Sequence, residues 1–196
     1  MGRILILVVT SVLILTGCIK KVEPKKDVKL EEAKITASKA AGEFMKELKT
    51  ILVAEMKKGG PESALNVCSD TAQEFAKTYS AEKGMELRRV SFMNRNEANV
   101  PDDAELMWLK ECENMMKADN FNKDTVFFRV ERSANSRTLH LAKPILLAEE
   151  CVVCHGTDEQ IPANIKKLIA EKYPNDKAVN FSPGDLRGLV TVKMKL

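Results

Sequence analysis

Thr125-Val126-Phe127-Phe128-Arg129-Val130-Glu131-Arg132, then Ser133-Ala134-Asn135-Ser136-Arg137, then Thr138-Leu139-His140-Leu141-Ala142-Lys143-Pro144-Ile145-Leu146-Leu147: this stretch decides the fold class. The first eight residues alternate with a period of two, the next five are polar and turn-forming, and the last ten read as a second strand bent at Pro144. Outward from this hairpin, Gly188–Leu196 reads as a third strand with Val190, Val192, Met194 and Leu196 on one face, and Leu87–Met93 as a fourth. Upstream the period is helical. Leu30–Met56 sets Ala33, Ala37, Ala40, Ala41, Phe44, Leu48 and Ile51/Leu52 along one side, and Gly59-Gly60-Pro61 stops it. A second helix is expected over Glu62–Tyr79, with Leu65, Cys68, Ala72, Phe75, Ala76 and Tyr79 on its buried stripe. A third opens at Asp102, where Asp102 and Glu105 have capping-box spacing behind Pro101. It runs to Lys117 and buries Trp108, Leu109, Cys112, Met115 and Met116. A short helix is expected between Pro162 and Lys172. Leading helices followed by hairpin-connected strands predict an α+β fold with an antiparallel sheet.

At 196 residues, 44% hydrophobic and 30% charged, the chain suits one domain with a real core. Its 31 basic and 28 acidic residues are interspersed, which argues against nucleic-acid binding. Two histidines leave little for a conventional acid–base enzyme, and five cysteines are too few for a disulfide scaffold.

The N-terminus reads as an address. Arg3 precedes an apolar run, Ile4–Thr16, too short to span a bilayer. The run ends in Leu15-Thr16-Gly17-Cys18, which resembles the lipobox of bacterial lipoproteins. That resemblance implies residues 1–17 as a signal peptide, cleavage after Gly17 and diacylation of Cys18; a plain secretory signal is the other reading. Loss of Arg3 from the net charge of +3 leaves about +2. Residues 18–29 then form a tether whose Lys20–Asp27 segment is basic enough to lie near anionic headgroups or simply to be solvated. Residues 30–196 form the domain. Ile19 after Cys18 leans towards the outer membrane, by resemblance to lipoprotein sorting rules.

The chemistry sits in Cys151-Val152-Val153-Cys154-His155. CxxCH is the attachment signature of c-type haem. Two thiols three positions apart can add across the two haem vinyl groups, and the adjacent imidazole is then held under the iron as proximal ligand. Chance would produce the motif on the order of once in a thousand such chains. A zinc site lacks two further ligands in the pattern, a dithiol redox site lacks a βαβ context, and a structural disulfide would not require His155.

The other axial position has several candidates: Cys68, Cys112, His140, and the methionines Met45, Met56, Met85, Met93, Met107, Met115 and Met116. Cys68 and Cys112 are alternatively a disulfide or packed core thiols. His140 alternates with Leu139 and Leu141 and reads as an exposed side chain.

Several segments carry a family resemblance across nearly the whole mature chain. They are Ala64-Leu65-Asn66-Val67-Cys68, Leu87-Arg88-Arg89-Val90-Ser91, Arg95-Asn96-Glu97-Ala98-Asn99-Val100-Pro101-Asp102, Cys151–Gly156, Tyr173-Pro174-Asn175-Asp176 and Gly184-Asp185-Leu186-Arg187-Gly188. Together they resemble the PAS-like c-type haem sensor domain of the Tll type. The resemblance implies a PAS-like antiparallel sheet flanked by helices, one heme c bound through Cys151 and Cys154, His155 as proximal ligand and Cys68 as distal ligand. Glu97 departs from the family pattern, which has proline there and hence a stiffer loop. Arg88, Arg89, Arg95, Asn96 and Asn99 are candidates to hold the haem propionates, Arg95 foremost, since guanidinium and amide donors suit carboxylates.

A His/Cys ligand pair implies a function. A thiolate stabilises ferric iron; on reduction it can protonate and leave, opening the site to CO or NO. The chain is therefore expected to be a periplasmic, lipid-anchored redox or diatomic-gas sensor acting on a separate signalling or redox protein. The alternative is an electron-transfer cytochrome c whose axial ligands never leave. An enzyme would need an open distal site with a catalytic His or Arg, for which only His140 could serve, and is not expected.

Overall fold

The computed structural model describes residues 27–67 and 71–196. Cys18, the tether up to Lys26, and Cys68 lie outside the described residues.

Helix α1, Val28–Asn66, is started by Asp27, whose side chain accepts from the Leu30 amide. Its alanine stripe is the expected one. Ala33, Ala37, Ala40 and Ala41 are buried, and their small side chains bring the helix close against the sheet, where Phe44 anchors it. The Phe44 ring stacks on Phe75 at 5.2 Å and meets Tyr79 edge-on at 5.8 Å. Gly59-Gly60-Pro61 breaks the helical path without ending the element. Gly60 adopts φ 68°, a left-handed conformation that glycine tolerates, and Pro61 has no amide to donate back. Of the second helix expected over Glu62–Tyr79, the described residues up to Val67 continue α1 and those from Ala72 form α2, Ala72–Lys83, closed by Gly84 in the left-handed conformation.

Among the described residues four strands form one antiparallel sheet: β1 (Glu86–Val90), β2 (Phe127–Arg132), β3 (Arg137–Leu146) and β4 (Leu186–Lys195), in the order β1-β4-β3-β2. The hairpin and the C-terminal strand fall where the alternation put them. The C-terminal strand is central rather than peripheral, an inter-strand choice that no local pattern encodes. Helix α3 (Asp103–Lys117) has the anticipated capping box, with reciprocal Asp102 and Glu105 bonds of 2.8 and 2.9 Å. Helix α5 spans Ala163–Lys172. The fold is thus α+β, a PAS-like antiparallel sheet flanked by helices and preceded by a long N-terminal helix.

Both faces of the sheet are covered. Leu87, Leu139, Leu141, Val190 and Val192 pack under α1 and α2. Val90, Ala142 and Leu189 face the other way and pack with Leu109 and Cys112 of α3. Among the described residues no helix is long and apolar enough to cross a membrane.

Candidate functional site

The Cys151–His155 motif begins just past the end of β3. A 3-10 turn, Glu149–Cys151, leads into a single helical turn, α4 (Val152–His155), which the sequence patterns did not reveal. Gly156 closes it, its amide donating a 2.8 Å hydrogen bond to the Val152 carbonyl. A Cβ at Gly156 would stand 2.7 Å from Val152 Cγ1 and 2.5 Å from Gln160 Oε1, so only glycine fits so tight a closure.

The chain returns past this turn through residues 173–181. The Phe181 and Asn180 amides donate to the His155 and Gly156 carbonyls at 2.9 and 2.8 Å. This places the Ala178 carbonyl 2.7 Å from His155 Nδ1. A carbonyl can only accept, so Nδ1 carries the proton and Nε2 is left unprotonated, with a lone pair that a metal could take. Burial, with the charges of Arg187 and Arg95, holds the His155 pKa well below its usual value, and the ring stays neutral. The Phe181 ring braces it edge-on at 6.3 Å.

His155, Cys151 and Cys154 line a cleft between α1, one end of the sheet and the 91–99 loop. The cleft holds about 1390 Å³ of atom-free space, its open mouth included. Met45, Leu48, Leu52, Met56 and Leu65 of α1 form an apolar wall, with Ile145 and Leu147 contributing from the β3 side. Of the anticipated polar residues, Arg89, Arg95, Asn96 and Asn99 all line it.

Arg95 is 6% exposed and heavily engaged. Its Nη2 donates to the Cys154 and Ala178 carbonyls at 2.6 and 3.1 Å, and Nε and Nη2 fork onto Asp176 at 3.1 and 3.0 Å. Its Nη1 is buried without a hydrogen-bond partner. Asn96 caps the Glu97–Asn99 3-10 turn, and Asn99 accepts from Gln73 at 3.0 Å. Glu97, standing where the resembling family has proline, accepts from Asn175 at 2.7 Å and ties its loop to the 173–178 return. A hydrogen bond thus supplies stiffness that the ring would have given.

Other expectations are corrected. Arg88 is not in the cleft. Its place next to Arg89 on β1 turns it to the opposite face, where it meets the Val100 carbonyl and lies 3.7 Å from Glu105. His140 is 6% exposed rather than open to solvent, because α3 covers its face of the sheet. It pairs with Glu131 at 3.0 Å, far from the motif's cleft. Cys112 is a free, fully buried thiol on the inner face of α3. Met85 is core, and Met93 and Met107 are exposed. Sequence reasoning missed Arg187 and Lys49, which also line the cleft; Lys49 pairs with Glu150 at 2.7 Å across it. Arg187 was legible within a quoted motif, whereas Lys49 looked like one lysine among many on a long helix.

The residues present fit a haem. Two thiols and a neutral imidazole stand on one turn, apolar walls face them, and an orphaned guanidinium nitrogen suits a carboxylate. The model of the Tll0287-like family matches residues 21–195. The chain belongs to this family. Among solved structures it is similar to that of the cyanobacterial haem protein Tll0287. The TM-score is 0.59 at 22% identity, covering 86% of this chain and 96% of that one, a likeness of fold. No curated protein matches it.

Proposed function

We propose that this member of the Tll0287-like family is an exported, lipid-anchored protein that binds one heme c through Cys151 and Cys154, and that it works as a redox or diatomic-gas sensor rather than an enzyme. The observation that carries the reading is the CxxCH turn opening on an apolar cleft, with His155 Nδ1 held by the Ala178 carbonyl. When bound, the group supplies a one-electron couple and an iron site for a small ligand. His155 would hold that iron through Nε2, and Arg89, Arg187 and the spare Nη1 of Arg95 would meet the propionates. Cys68 would be the second protein ligand; one residue before it, Val67 lines the cleft. As a thiolate Cys68 would favour the oxidised group, and as a protonated thiol it would hold the iron less strongly. Cys18 carries the lipid, and the output passes to a separate periplasmic protein.

The test is the absorption spectrum of the dithionite-reduced protein before and after CO. A shift on adding CO is expected. An unchanged spectrum would show both axial ligands holding through reduction and would turn the assignment to an electron carrier.

A further inference from the structure

We propose that Arg95 and Asp176 together set the electron-donating strength of His155, using the Ala178 carbonyl as a shared acceptor. The inference rests on the haem reading above and adds a tuning role that the sequence did not assign.

The geometry is closed on every side. Ala178 O accepts from His155 Nδ1 at 2.7 Å and from Arg95 Nη2 at 3.1 Å. Asp176 accepts the Arg95 fork and, through Oδ1, the Ala178 amide at 2.9 Å. The Lys177 amide donates to the Asn94 carbonyl at 3.2 Å, so the peptides leading to that acceptor are pinned to the Arg95 loop. The Arg95 and Asp176 side chains are 6% and 9% exposed, where charges are weakly screened. The same Nη2 also reaches the Cys154 carbonyl at 2.6 Å, so one cation grips both the motif and its partner carbonyl.

The electronic consequence has a definite sign. A charged donor on Ala178 O withdraws electron density, making that oxygen a poorer acceptor for Nδ1–H. The imidazole then has less imidazolate character and donates less to the metal, which favours the ferrous state. The positive charge of Arg95 acts in the same direction, because it opposes the extra charge of ferric iron. Asp176 opposes both effects by drawing on the guanidinium and offsetting its charge. Arg95 therefore raises the reduction potential and Asp176 lowers it. These are positioning and tuning residues; neither ligates the metal.

Opposite signs separate this role from a purely structural one. The test is a spectroelectrochemical titration of haem-loaded full chains carrying Arg95→Gln, Arg95→Lys, Asp176→Asn and Glu97→Ala, with covalent haem measured as the pyridine haemochrome. Arg95→Gln is expected to lower the potential and Asp176→Asn to raise it, while Arg95→Lys keeps the charge and falls nearer wild type. Glu97→Ala loosens the same loop without touching the relay and is expected to leave the potential unchanged. Shifts of one sign in Arg95→Gln and Asp176→Asn, or a Glu97→Ala shift matching Arg95→Gln, overturn the proposal. Should Arg95→Gln fail to fold, Asp176→Asn decides alone, since a fall or no change overturns it. Absence of covalent haem from the wild type overturns the haem reading and this inference with it, whereas normal haem with unordered potentials overturns the relay alone.

Discussion

The two faces of the sheet carry similar chemical groups and put them to different uses. Between α3 and the sheet lie His140 and Arg88 from the strands and Cys112 and Glu105 from the helix; facing the cleft on the other side lie His155, Cys151, Cys154, Arg95 and Arg89. On the α3 face these groups are engaged by structure, save Arg88 Nε, which is buried without a hydrogen-bond partner. His140 pairs with Glu131, Cys112 is packed among Val90, Leu109, Ala142 and Leu189, and Glu105 accepts from Thr191 at 2.8 Å while closing the α3 capping box. On the cleft face the second nitrogen of the histidine is tied to a backbone carbonyl, which orients the ring and keeps the first available. Residue type therefore does not make a ligand. The partner of the atom that does not ligate, and the space in front of the one that does, decide it.

The largest effect that could break this contrast is all-or-none. Cys151→Ala with Cys154→Ala is expected to abolish covalent haem on a denaturing gel stained for haem peroxidase activity, while His140→Gln and Cys112→Ala retain it. Haem loss in His140→Gln at undiminished stability would dissolve the distinction between the faces.

Next in size is the α3-face polar network. Thr191→Val removes the donor to Glu105, which is 2% exposed, and is expected to cost about 2 kcal/mol in urea unfolding. Haem content should not change, since this network does not reach the cleft.

The Cys112 thiol sharpens the contrast through pH. Burial first, then Glu111 and Glu113, push its pKa from 9.0 up to about 12. Above pH 9 the unfolded chain releases a proton that the native chain keeps. Stability is therefore full below pH 9 and falls as pH rises through about 12, at about 1.4 kcal/mol per unit. Tyr79, also held up to about 12 by burial and Glu43, adds to the fall above pH 10. Cys112→Ala is expected to flatten the slope between pH 9 and 10, measured as urea midpoints against pH. An unaltered slope would place the thiol in water rather than in the core.

The smallest effect concerns the cleft loop. Asn96 has φ −91° and ψ 132°, the extended conformation required before proline, and Glu97 opens a 3-10 turn. Glu97→Pro is therefore expected to raise stability by no more than about 1 kcal/mol, through a stiffer unfolded chain offset by loss of the Asn175 bond. A clear loss of stability would show that the hydrogen bond outweighs the ring.

Much of this was legible before any coordinates. The alternation of Thr125–Leu147, the alanine stripe of α1 and the Asp102/Glu105 box are local signals, and each landed within a few residues of its place. What stayed hidden was non-local. His140 looked exposed because its neighbours Leu139 and Leu141 claimed one face, and nothing local shows that α3 buries the other. The Ala178 carbonyl is a backbone atom 23 residues from His155, with no sequence signature. Arg88 is the instructive case, because adjacent strand residues point to opposite faces, so Arg88 and Arg89 could never both face one haem. That signal was present and was not used.

Covalent haem on His155 in the α1-face cleft stands or falls on the pyridine haemochrome of the purified, exported chain. One thioether-linked haem per chain is expected, lost in the Cys151→Ala, Cys154→Ala double variant. A wild-type chain with no covalent haem, exported in a host that matures c-type haem proteins, would overturn the assignment.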